Sequence, residues 1–283
     1  MNLRTITLAA ISAAFAVTGC GQNGPLNSEL LGNLVGGQAG HLVKAGGHLA
    51  NANAMSEKDE DTLGQSVGVA LTNRYGVYND QNLLEYVTMV GLTVASASPK
   101  PNGNYVFGIL KTNEVNAFSG PNGYLFITYG LLMQLKDEAE LAGVLGHEIA
   151  HVCNHDGLHQ VQAAETRSAA AEALQSASGQ AAQYAAALGM GVDVLTKQAY
   201  TQPQEYDADK LGVQIMAAAG YDPQSYRRFL QRLQANEGSA AGARLMSTHP
   251  GLASRVQRVT QQTAAIKPGG VRLAPRFAST VQK

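Results

Sequence analysis

The chain has no tryptophan and only two cysteines in 283 residues, and charged side chains make up 14% of it. Two cysteines cannot build a disulfide framework, so packing has to hold the fold. Basic and acidic residues nearly cancel, with Lys+Arg 20 against Asp+Glu 21 and a net charge of -1. The missing basic excess argues against nucleic acid as a partner, and there is no acidic tail or polybasic membrane patch. Past the N-terminus there is no pure apolar run. The Ala-rich stretch 161–192 contains Gln175, Gln180 and Gln183 and runs into Asp193, so it does not read as a membrane span. No internal repeat is visible, and about 20 residues after the last predicted helix cannot hold a 34-residue helical repeat.

What is present suits a globular protein of one domain, or two small ones. Hydrophobic residues make up 45% of the chain and its mean hydropathy is -0.10. Some of the 31 glycines gather near the N-terminus and in the Ala-rich stretch, where loose packing is expected. Arg4 precedes an apolar run from Thr5 to Val17, the length of a secretory h-region and too short to span a bilayer. Val17-Thr18-Gly19-Cys20 follows and resembles a bacterial lipobox. That resemblance implies a leader over residues 1–19, cleavage before Cys20, acylation of Cys20, and anchoring to the membrane through it. Gly21 after the cysteine implies the periplasmic face of the outer membrane.

Residues 20–55 are rich in Gly, Asn and Ala and read as a flexible tether. The charge run Ser56 to Asp61 reads as a solvated helix start. Apolar residues then recur at helical spacing through Leu63, Val67, Leu71, Leu84, Val87, Val90 and Val94, predicting two helices broken near Tyr75-Gly76. Three short strands are expected: Tyr105 to Leu110, Val115 to Ser119 and Tyr124 to Thr128. The turn Gly120-Pro121-Asn122-Gly123 joins the last two into a hairpin, and the expected sheet is small and antiparallel. Asp137 caps a helix with Glu140 three residues on, as in a capping box, and Gly157 is its predicted stop. Further helices are expected over 202–219, 223–235 and 250–264, followed by an irregular tail over 266–283. The fold class is therefore α+β, mostly helical, with one domain over 56–265.

The most informative motif is His147-Glu148-Ile149-Ala150-His151. Residues four apart share one helix face, so two neutral imidazoles there can hold one Zn²⁺, with Glu148 beside the water. A catalytic zinc takes about three protein ligands and leaves a position open. The extended pattern with a third histidine fails, because Asn154 and Gly157 stand where Gly and His are needed. His155 reads as a packing or outer-sphere group and His159 as a surface residue. The third ligand is assigned to Glu205 in Glu205-Tyr206-Asp207-Ala208-Asp209, with Asp209 one turn on to accept a hydrogen bond from the ring N–H of a ligating imidazole. A solvated acidic helix start is the alternative for that segment. Cys153, in an apolar helical context, reads as a buried inert thiol.

The motif, together with Val115-Asn116-Ala117-Phe118-Ser119-Gly120, Gly123 to Leu132, Glu138 to Val152, Glu205 to Gly212, Ala219 to Pro223 and Thr248-His249-Pro250 with Arg255, resembles peptidase family M48. The likeness runs over roughly residues 60–262 and is stronger to the periplasmic lipoprotein members than to the multi-spanning ones. It implies a gluzincin-type domain with one Zn²⁺ per chain on His147, His151 and Glu205, Glu148 as general base and Asp209 behind a ligand. It further implies that His249 is an oxyanion partner or an extra metal ligand, a helix-capping role being the alternative. Arg255 would position acidic side chains near the site. A peptide would pair with the sheet edge at Asn116, Ala117 and Phe118, although core packing explains the apolar alternation there equally well. Segment 161–192 is a plain packing helix or a mobile lid. The expected activity is endoproteolysis of unfolded or misassembled envelope proteins. The alternatives are a lipid-anchored chaperone or assembly factor for outer-membrane proteins, and a cell-wall amidase.

Overall fold

A computed structural model describes residues 24–25, 57–160, 163, 199–236, 245 and 247–282. The expected leader, Cys20, most of the tether and nearly all of the 161–192 segment lie outside these residues. Helix α1 spans Glu57–Tyr75 and α2 spans Gln81–Ala95. They part where predicted. Gly76 takes φ 74, and Asp80 caps α2 by accepting from the Leu83 amide at 3.0 Å.

Three strands follow: β2 Val106–Leu110, β3 Ala117–Ser119 and β4 Tyr124–Thr128. A two-residue strand β1, Gly24–Pro25, adds to the outer edge of β2, so this part of the expected tether is held in the sheet. The order is β1-β2-β4-β3. The hairpin β3–β4 is antiparallel as predicted, but β2 and β4 run parallel, with Val106 opposite Tyr124 and Leu110 opposite Thr128. The sheet is therefore mixed, not antiparallel. The chain leaves β2, builds β3 on the far side, and returns as β4 in the middle, which makes β4 point the same way as β2.

Both faces of β2 and β4 are buried, as parallel strands require. Val106, Leu110, Tyr124 and Phe126 meet Val67 and Leu71 of α1. The alternate residues Phe107, Ile109, Leu125 and Ile127 face the main core, which holds α2 and the next long helix. After the single turn α3, Tyr129–Leu132, comes that helix, α4, Glu138–Cys153. Asp137 caps it, accepting from the Glu140 amide at 2.8 Å. The box is incomplete: Glu140 accepts from the Lys136 amide and binds Arg232 instead of closing on Asp137. The predicted stop at Gly157 is also displaced. The helix ends at Cys153, and a second helical run occupies 156–160 after a turn at Asn154-His155.

Helices α5 (Gln202–Ala218), α6 (Pro223–Ala235) and α7 (Leu252–Ala265) lie close to their expected spans. Helix α5 packs directly on α4 through two glycines. A Cβ on Gly212 would stand 2.9 Å from the His147 amide nitrogen, and one on Gly146 3.0 Å from the Gly212 carbonyl. The tail is not irregular. Residues Ala274–Val281 form α8, with Phe277 and Val281 in the main core. Arg272 and Arg276 pair with Asp137 and Glu138 at the start of α4. Those two acids are fully buried and need cations, a demand that only long-range contacts reveal.

Candidate active site

Helix α4 sets His147 and His151 one turn apart, and the close approach at Gly146 and Gly212 brings the first turn of α5 beside them. His147 Nε2 lies 3.1 Å from His151 Nε2. Glu205 places Oε2 3.5 Å from His147 Nε2 and Oε1 3.5 Å from His151 Nε2. His249, just ahead of α7, completes the group, with Nδ1 3.0 Å from Glu205 Oε1 and 3.4 Å from His147 Nε2. All four residues are buried, and each offers one ligand atom within 4.8 Å of the others. An ion bound at about 2.0 Å at the centre of a tetrahedron has corners about 3.3 Å apart. The observed separations straddle that value, so the donor set fits one metal ion. Among the described residues this is the one group of three or more His, Cys, Asp or Glu that could hold a metal ion.

The surroundings orient these ligands. His147 Nδ1 lies 3.0 Å from Asp209 Oδ1. Arg255 grips both oxygens of Asp209, Nε at 2.8 Å and Nη2 at 2.7 Å, and faces Glu205 Oε2 with Nη1 at 2.5 Å. The Tyr226 hydroxyl donates to Asp209 Oδ1 at 2.8 Å. Burial by itself raises the Asp209 and Glu205 carboxyls. The guanidinium of Arg255 outweighs it and holds both well below the usual carboxylate range, His249 and His151 adding to the effect at Glu205. Burial and then Arg255 lower His147. Burial opposes the charged form of His151 too, but Asp156 and Glu205 together push it up to about 9.

Glu148 stands between His147 and His151 in α4, turned toward the sheet. Its Oε2 accepts from Ser119 Oγ at 2.8 Å, and its Oε1 is 3.9 Å from His249 Nε2. Strand β3 forms the sheet edge on this side. The carbonyl of Asn116 accepts from the Thr128 amide at 3.0 Å. Its Oδ1 accepts from the Ala117 amide at 3.0 Å and from Thr248 Oγ1 at 3.2 Å. Its Nδ2 is buried with no partner among the described residues. Phe118 points the other way, into the α1 layer. A cavity beside Glu148 and His249 is walled by Ala117, Leu131, Val144, Phe229 and Leu230.

Of the sequence candidates, His147, Glu148, His151, Glu205, Asp209, His249 and Arg255 converge. His155 does not: it points to Lys100 and Glu60, with Nε2 2.7 Å from Lys100 Nζ. His159 is exposed, as expected. Cys153 is half-buried against the core. Three residues were missed. Tyr200 stacks on the His151 ring at 3.9 Å, Ser119 bonds Glu148, and Asp156 Oδ2 lies 2.8 Å from His151 Nδ1. None follows from spacing, because Ser119 and Tyr200 reach the site from distant segments and Asp156 reaches it through an unforeseen turn.

The sequence is similar to those of known proteins. Residues 82–263 match the sequence model of Peptidase family M48. The Beta-barrel assembly-enhancing protease of Escherichia coli strain K12 is 28% identical over 214 residues, 70% of this chain and 42% of that protein. A putative Beta-barrel assembly-enhancing protease of Vibrio cholerae is 28% identical over 216 residues, 73% of this chain and 44% of its own. The chain thus spans less than half the length of these relatives. Metalloprotease LoiP of Escherichia coli strain K12 is 24% identical over 267 residues, covering 94% of this chain and 98% of that protein.

Proposed function

The chain belongs to peptidase family M48 and is a metallopeptidase, and from that premise we propose that it is a zinc endopeptidase cleaving misfolded or misassembled envelope proteins. The observation that carries the proposal is the gathering of one ligand atom each from buried His147, His151, Glu205 and His249, all within 4.8 Å of one another, with Glu148 beside them. Two imidazoles and a carboxylate in that geometry suit zinc above harder ions that prefer all-oxygen shells. A zinc ion held there would polarise a water and the scissile carbonyl.

The protein's own residues do the rest. Glu148 takes the proton of the attacking water and delivers it to the leaving amine, while Ser119 keeps one of its oxygens fixed. Asp209 and Arg255 hold His147 and Glu205 in place. An extended peptide lies along β3, where pairing through main-chain groups accepts many sequences, as a quality-control protease needs. The buried unpaired Nδ2 of Asn116 supports a polar partner on this edge. Lipidation of Cys20 places the domain at the periplasmic face of the outer membrane; no helix among the described residues is long and apolar enough to cross a membrane.

One observation favours a second reading. His249 occupies the fourth corner that a catalytic metal leaves open, so the resting site is latent and the protein acts as an assembly factor until His249 withdraws. The deciding experiment measures zinc per chain and casein cleavage, with and without chelator, against Glu148→Gln. One zinc with chelator-sensitive cleavage that Glu148→Gln abolishes establishes the peptidase. One zinc without cleavage favours the latent form. Absence of zinc refutes the site.

A further inference from the structure

A ligating histidine needs an acceptor on its other ring nitrogen to set its tautomer and direction. His147 has Asp209. His151 presents Nδ1 to Asp156 Oδ2 at 2.8 Å, and helical geometry does not supply that contact. Residues five apart on a helix point in different directions, so a continuous α4 would carry Asp156 away from His151.

The chain breaks instead. The Asn154 amide closes α4 on the Ala150 carbonyl at 2.9 Å, and His155 takes φ 56. That left-handed conformation is disfavoured for a residue with a Cβ. Contacts from two other parts of the fold hold it. Lys100, in the loop between α2 and β2, places Nζ 2.7 Å from His155 Nε2, and Glu60 of α1 places Oε1 3.3 Å from His155 Nδ1. These partners match one neutral tautomer, with Lys100 donating to Nε2 and Nδ1–H donating to Glu60. The next residue is Asp156, which is buried. Its second oxygen, Oδ1, accepts from Gln204 Nε2 at 2.9 Å, and Gln204 immediately precedes Glu205. Gln204 is itself fixed, accepting from the Thr201 amide at 2.9 Å. One carboxylate therefore joins the second histidine of α4 to the turn of α5 that carries the acidic ligand.

We propose that Asp156 is a positioning residue for His151, delivered to it by the left-handed turn at His155 that Lys100 and Glu60 pin. The proposal rests on the assignment of His147, His151 and Glu205 as zinc ligands. It assigns a role to two residues outside the His-Glu-x-x-His motif and makes the loop before β2 part of the metal site's support.

The test is the zinc dissociation constant of the full chain by competition with a chromogenic chelator, with kcat and KM on a peptide substrate measured alongside. Loss of a group that supports a ligand weakens metal binding about 10–100-fold, and Asp156→Ala is expected to fall in that range. Asp156→Asn keeps the shape of the turn while removing the charge, so it carries the test should the alanine variant fail to fold. Its affinity must drop as well. His155→Gly removes both pins at a position whose positive φ glycine favours, so its affinity is expected to fall less than that of a β-branched substitution. His155→Val, β-branched at positive φ, is expected to lose affinity as Asp156→Ala does. Wild-type affinity in Asp156→Asn or a folded Asp156→Ala overturns the positioning role. Equal affinities for His155→Gly and His155→Val overturn the role of the turn. A wild-type chain that takes up no zinc refutes the ligand assignment itself, which separates that failure from the other two.

Discussion

Arg276→Ala is expected to destabilise α4 from the end opposite His147 and His151. Glu138 opens α4 and is fully buried. Its carboxylate accepts from the Tyr86 and Tyr221 hydroxyls, each at 2.8 Å, and from Arg276 Nε at 2.5 Å. The alanine variant leaves a buried negative charge with two neutral donors. Removing one partner of a buried ion pair costs about 3–5 kcal/mol. The Arg276 side chain is 39% exposed, so solvent already screens part of this interaction, and both tyrosines remain. The expected loss is therefore smaller, about 2–3 kcal/mol. At about 2–4 °C per kcal/mol for a domain of this size, the melting temperature should fall by about 4–12 °C. Circular dichroism melts of the metal-free chain measure it. Adding Glu138→Gln to Arg276→Ala should recover most of the loss, because a neutral amide needs no cation, giving a coupling of about 1–2 kcal/mol. A melt within about 2 °C of wild type, or a double variant as unstable as the two single effects added, would refute the clasp between α8 and α4.

Arg255→Lys should not restore the site. The planar fork that holds Asp209 by two bonds and Glu205 by a third cannot be copied by one ammonium, and zinc affinity, read by chelator competition, should fall at least about tenfold. His249→Ala should raise casein cleavage while zinc stays at one per chain, because it empties the fourth corner of the ligand group. Lower cleavage with zinc retained would instead assign His249 to stabilising the oxyanion. Gly212→Ala should part α4 from α5 at the His147 backbone, with a stability loss of about 1–3 kcal/mol in urea titration and weaker zinc binding. An unchanged unfolding midpoint would show that the helices tolerate the added methyl group.

Much of the metal site was legible because its signals are local. His147 and His151 need only an α-helix to share a face, and the apolar periodicity of residues 138–153 supplies one. Glu205 and Asp209 obey the same rule in the first turn of α5. The hairpin at Gly120 to Gly123 was legible because turn residues stand between two β-forming runs. The sheet's mixed topology was not. The same three strand sequences serve an antiparallel meander or the observed order, and only the burial of β2 and β4 on both faces distinguishes them. Helix α8 was not legible because what holds it, Phe277 and Val281 in the main core and Arg276 on Glu138, lies more than a hundred residues away in the chain.

The sequence by itself determined helices α1, α2 and α4 to α7, the hairpin and the residue types of the His-Glu-x-x-His motif, since each depends on neighbours within a turn or two of chain. Tertiary structure decided what those residues meet. It set His249 against Glu205 and Arg255 across two carboxylates. It placed Ser119 on Glu148 and turned Asp156 back onto His151 through a left-handed residue held from two remote elements. These contacts join groups far apart in the chain, or reverse its direction against local preference. Burying charge and ordering polar groups cost free energy, and these contacts offset that cost by pairing in a packed interior, which short-range pattern does not encode.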